Sequence, residues 1–165
     1  MRHIISILLQ NEAGALARVA NLFSSRGYNI ESLNVAPTAD ETVSRLTLVT
    51  TGAAPVIEQI GKQLAKLVDV VDIDDMTGED HIERELALFK LQAHAGAADK
   101  LLGTLKQFDA RVLSDIEGYH TVEVVGGSQE IDRFLKRVTG IAEVLLAVRS
   151  GAMAIQRGAP TLTRD

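Results

Sequence analysis

The 165-residue chain has no cysteine and no tryptophan. Without thiols there can be no disulfide, no thiolate nucleophile and no Cys-ligated metal. Aromatic residues make up only 4%, so the core must come from Ile, Leu, Val and Ala. Basic charge is also short: 17 Lys and Arg against 22 Asp and Glu leave a net charge of −5. Nucleic-acid binding needs a clustered cationic excess. The densest basic group, Arg133, Lys136 and Arg137, has the spacing of one wet helical face. No apolar run approaches the ~20 residues that span a bilayer. Arg2 and His3 lead into a short apolar run broken by Ser6, which is not a signal-peptide pattern. The expectation is a cytoplasmic chain that binds neither membrane nor nucleic acid.

Catalytic signatures are missing as well. There is no G-x-S-x-G elbow, no G-x-x-x-x-G-K-[ST] and no G-x-G-x-x-G. His3, His81, His94 and His120 fall in separate elements, and none has a second His at metal-ligand spacing. The acids from Asp72 to Asp80 lack the alternation and closing Glu of a calcium loop. They read as a solvated linker around Gly78. Gly126-Gly127-Ser128 opens a helix, and capping by Ser128 explains it as well as anion binding does.

What is present is a repeated order of elements. Ile4 to Leu9 is a short, β-branched apolar run that reads as a buried strand. Leu16, Val19, Ala20 and Phe23 then recur at helical spacing, and Gly27 closes that helix. Strands follow over 28–35 and 43–50, with a loop from Pro37 to Glu41 between them. Pro55 marks a second helix start, Val56, Ile60, Leu64 and Leu67 give its stripe, and 68–73 is a fourth strand. The order recurs in the second half: a strand over 85–93, a helix marked by Leu101, Leu105 and Phe108, and a hairpin of 110–116 and 119–125 turning at Glu117-Gly118. A helix carrying Ile131, Phe134, Leu135 and Val138 and a strand over 143–148 complete it. The fold class is therefore α+β: two ferredoxin-like βαββαβ units, each an antiparallel four-stranded sheet with two helices on one face. Expected boundaries are 1–76 for the first domain, 77–84 for a linker, 85–157 for the second domain and 158–165 for a tail. Each sheet has one face that its own helices leave bare, which calls for a partner: the other domain, another chain or both, a second copy being the simplest solution.

One segment invites a functional reading. Asn11-Glu12-Ala13-Gly14-Ala15-Leu16 joins the first strand to the first helix. Amides at a helix start attract an anion, and the helix dipole adds to that. Gly14 removes a side chain where a carboxylate would approach, and Asn11 offers both a donor and an acceptor. Together they suit an amino acid. A plain structural role, with Asn11 as cap and Gly14 as turn relief, fits the local residues equally well.

The run from Asn11 to Val19, Leu22-Phe23, Arg26 to Leu33 and Val35-Ala36-Pro37-Thr38 resembles the opening of the small subunit of acetohydroxyacid synthase (acetolactate synthase). Lys62-Gln63-Leu64, Lys66 to Val70, Glu83-Arg84-Glu85 and Ser150-Gly151 are also similar to that family. The resemblance implies an N-terminal ACT domain that pairs with a second copy. It implies valine bound between them, with Asn11, Gly14, Ala15 and Leu16 from one chain and Asn29 and Ile30 from the other. It further implies a non-catalytic chain with no cofactor of its own, activating a catalytic large subunit that carries thiamine diphosphate, Mg²⁺ and FAD. Branched-chain amino acid biosynthesis would then be under valine feedback. A stand-alone ACT-domain sensor with another target is the alternative. The resemblance is weaker in the second half.

Overall fold

The computed structural model describes residues 1–159 and Leu162. The chain divides into two compact units. One contains Met1–Ile82 together with the described residues from Ala152 onward, and the other is Glu83–Gly151.

In the first unit β1 (Arg2–Gln10), α1 (Ala15–Ser25), β2 (Ile30–Pro37), β3 (Val43–Thr51), α2 (Ala54–Leu64) and β4 (Val70–Asp75) follow in order. The sheet is antiparallel in the order β2-β3-β1-β4. Strand side chains alternate between faces, so Ile5, Ile7 and Leu9 of β1 meet Leu46 and Leu48 of β3 on one face. There they are buried against Val19 and Phe23 of α1 and Ile57, Ile60 and Leu64 of α2. α2 begins at Ala54 with Pro55 in its first turn, where a missing N–H costs nothing. α1 ends at Ser25, and Gly27 takes φ +70° beyond it.

The opposite face of this sheet is not bare. β9 (Met153–Gln156) and its flanks lie on it: Ala152 and Ala154 are buried with Ile4, Val49 and Met76. Leu162 is buried with Leu8 and Val43, and Arg45 Nη2 donates to the Leu162 carbonyl at 2.8 Å. One sequence expectation changes as a result. The second domain was expected to reach 157, but residues from 152 pack with the first unit, because their small apolar side chains fill the face that α1 and α2 do not cover. The expected tail, 158–165, lies partly outside the described residues.

The expected linker, 77–84, is also structured. A 3-10 turn, Met76–Gly78, buries Met76, and β5 (His81–Ala93) starts inside the linker. The second unit continues with α3 (Ala98–Gln107), β6 (Arg111–Ile116), β7 (Tyr119–Gly126), α4 (Ser128–Val138) and β8 (Ala142–Arg149). Its sheet order is β6-β7-β5-β8. Phe89, Leu91, Leu101, Val122, Ile131 and Phe134 form the core beneath both helices. Ser128 is not the cap of α4: Gly127 occupies that position, and Glu130 reaches back to accept from the Gly127 amide at 2.8 Å. Here the outer sheet face is open, with Val125, Leu146 and Val148 all more than half exposed.

A buried ion pair closes the second unit. Glu85, 3% exposed, accepts from Arg149 Nε at 2.6 Å and Nη2 at 2.8 Å, and Arg149 Nη1 donates to Asp132 at 2.7 Å. These hydrogen bonds, Glu85 first, hold the guanidinium more firmly protonated than usual.

Candidate functional site

The turn between β1 and α1 is built from backbone contacts to two neighbouring connections. Before it, the Gln10 amide donates to the Asp69 carbonyl, and the Asn11 amide to the Thr42 carbonyl, both at 2.8 Å. Asn11 does not cap α1. Its Nδ2 donates to the Glu41 carbonyl at 2.8 Å, pinning the turn to the β2–β3 connection. The helix cap is Gly14, at φ +89° in the left-handed region, and no side chain caps the helix. The Ala15 amide is taken by the Glu12 carbonyl at 3.2 Å, so the Leu16 and Ala17 amides are the ones left uncapped, with the positive end of the helix dipole behind them. Ala15 is buried at 4% exposure and Leu16 is exposed at 37%.

An ion pair stands over this turn. Arg18 holds Asp69 through two nitrogens: Nε donates to Oδ2, and Nη2 to Oδ1 at 2.7 Å. Asp69 is 4% exposed. The hydrogen bond from Arg18 is the main cause holding its carboxyl below the usual range, and the same bond raises the guanidinium. Residue 69 therefore grips the turn twice, by its carbonyl to Gln10 and by its carboxylate to Arg18. A Cβ on Gly14 would stand 3.0 Å from Arg18 Nη1. Sequence reasoning missed both residues. Arg18 follows Gly14 by one helical turn, a spacing that puts them on one face; nothing local pointed to Asp69.

The structure brings Asn11, Gly14, Ala15 and Leu16 together in one turn. It does not bring Asn29 and Ile30 to them within one chain. Ile30 pairs with Thr50 and Gln10 pairs with Val43. Seven residues of β3 separate the two places, roughly 24 Å at a strand rise of ~3.4 Å. Ile30 starts β2, an edge strand, and the exposed Asn29 precedes it with its carbonyl accepting from Thr50 Oγ1 at 2.6 Å.

Other sites lack chemistry. Among the described residues no cluster of three His, Cys, Asp or Glu could hold a metal, and no helix is long and apolar enough to cross a membrane. A groove of about 660 Å³ between α2 and β4, lined by Ile57, Ala65, Val71 and the buried His3, includes none of the turn residues from Asn11 to Leu16 and carries no nucleophile–base pair.

A four-stranded antiparallel sheet with two helices on one face and an open glycine turn after its first strand is the ACT type of regulatory domain. Its family model, described as the ACT domain of small subunits of acetohydroxyacid synthase, matches residues 5–72, and a model for the acetolactate synthase small subunit matches 84–158. The chain is 44% identical over 158 residues to the acetolactate synthase isozyme 3 small subunit of Escherichia coli, covering 96% of this chain and 97% of that one. It is 41% identical to the acetolactate synthase small subunit of Haemophilus influenzae, with the same coverage. The crystal structure of the acetolactate synthase small subunit from Thermotoga maritima superposes with a TM-score of 0.84 at 29% identity, over 96% of this chain and 99% of that one. The chain belongs to the family of acetolactate synthase small subunits, regulatory rather than catalytic.

Proposed function

We propose that the chain activates the catalytic large subunit of acetolactate synthase and makes it sensitive to valine, in branched-chain amino acid biosynthesis in the cytoplasm. Thiamine diphosphate, Mg²⁺ and FAD belong to the large subunit in this reading. Valine binds between two copies of the chain, its carboxylate at the turn formed by Gly14, Ala15 and Leu16, with Asn11 beside it and Asn29 and Ile30 supplied by the second copy.

The observation that carries this reading is the separation of the two half-sites across the sheet, with one half on an edge strand. Edge strands offer unpaired N–H and C=O groups to another chain. Two β2 strands paired antiparallel about a two-fold axis place each Ile30 at the other chain's Pro37 end, the end of the sheet where Asn11 lies. Binding then depends on how the two chains sit, so the effector shifts a population of arrangements.

Mixed dimers test this. Asn11→Ala and Asn29→Ala homodimers should each bind valine weakly by calorimetry. Unfolding and refolding them together should restore tight binding to about half the sites of the mixed dimers, because both lesions then fall in one site and leave the other intact. No restoration on mixing, with mixed dimers verified by mass, would refute a site shared between chains.

A further inference from the structure

Three features outside the proposed contacts compete for attention: the groove between α2 and β4, the open sheet face of the second unit, and the Arg18–Asp69 pair. The last is carried furthest by the geometry. Arg18 spends Nε and Nη2 on a carboxylate that is almost wholly buried, and its third nitrogen, Nη1, has no partner among the described residues. Nη1 is the atom that a Gly14 Cβ would approach to 3.0 Å, so it stands directly over the left-handed residue that caps α1. The Arg18 side chain is 45% exposed, while Asp69 fixes its guanidinium through the other two nitrogens.

We propose that Arg18 is a ligand-contacting residue of the effector site, donating from Nη1 to the α-carboxylate held over Gly14 at the start of α1. This rests on the reading of the turn as an amino-acid site and adds the group that selects for a free carboxylate. A planar guanidinium held through two of its nitrogens is oriented before the ligand arrives, so little rotamer freedom remains to be lost on binding. Asp69 is then a positioning residue: it touches no ligand but aims the guanidinium.

Calorimetry with valine and with valinamide, which keeps the ammonium and side chain but has no carboxylate, separates this from a structural role. The wild-type chain should bind valine at least 50-fold more tightly than valinamide. Arg18→Met should weaken valine binding strongly, leave valinamide nearly unchanged, and bring the ratio to within a few-fold of one. Because Arg18→Met alone leaves Asp69 buried without its partner, Arg18→Met combined with Asp69→Asn provides a second variant with neither charge. Arg18→Lys should recover part of the ratio. A loss of both ligands in equal proportion in the folded variants, or an unchanged ratio, would overturn the role of Arg18. Failure of the wild-type chain to bind valine would instead overturn the effector reading itself.

Discussion

Replacing Arg149 by Met tests the energetics of the second unit. Glu85 is 3% exposed and both its oxygens are held by Arg149. Removing the guanidinium leaves a carboxylate in the interior with no partner charge. Breaking a buried pair in this way costs about 3–5 kcal/mol. The Arg149 side chain is 35% exposed, so water screens part of the interaction and the lower figure, about 3 kcal/mol, is the better expectation. For a unit of this size, Glu83–Gly151, each kcal/mol moves the midpoint by roughly 4–8 °C, or about 12–24 °C in all. The assay is differential scanning calorimetry, with amide exchange along β5 and β8 to show that the loss lies in this unit. Substituting Glu85→Leu in the same chain removes the stranded charge, and Asp132, 62% exposed, returns to water. The double variant should therefore recover to within about 1 kcal/mol of wild type, since replacing a buried pair by apolar groups is often close to neutral. A single variant that loses under 1 kcal/mol, or a double variant as unstable as the single, would refute the view that desolvated charge dominates here.

The turn and its ion pair give further expectations. Gly14→Ala forces an L side chain to φ +89°, which costs about 1–2 kcal/mol, and its methyl pushes on Arg18; the midpoint of the first unit should fall modestly while valine affinity drops more than tenfold, and unchanged affinity would count against the site. The Asp69 carboxyl titrates lower in the folded chain than its ordinary value, so its contribution to stability is complete above about pH 4 and is lost as pH falls through the lowered value. Urea unfolding of wild type and Asp69→Asn should accordingly show a gap that closes on acidification, and a gap that stays constant from neutral pH down to pH 2 would exclude the assignment.

Both units were legible in the sequence because their cores follow simple patterns. Ile4 to Leu9 is a near-continuous apolar run buried on both faces, and Ile131, Phe134 and Val138 repeat at helical spacing. The turn at Gly14 was legible as a break between two such patterns, with its left-handed backbone matching what glycine permits. The role of Asn11 was not, because its partner is a carbonyl 30 residues away. Arg18 looked like an ordinary polar helical residue, since nothing in the local sequence announces a buried acid at position 69. The packing of Ala152 and Ala154 was hidden for a different reason: alanine carries too weak an apolar signal to mark a strand, and the face that it covers is made by β1 and β3 at the other end of the chain.

That last contact gives the molecule an order of assembly. The sheet carrying the glycine turn begins within the first ten residues, yet its outer face closes only when Ala152, Ala154 and Leu162 arrive. On the ribosome, the second unit has all its residues before the first has its last ones. Until then Ile4, Leu8 and Val49 lack their cover, and apolar surface exposed in this way is what makes incomplete chains prone to aggregation. A fragment cut at the end of β4 would carry the entire proposed half-site and still be an unfinished domain.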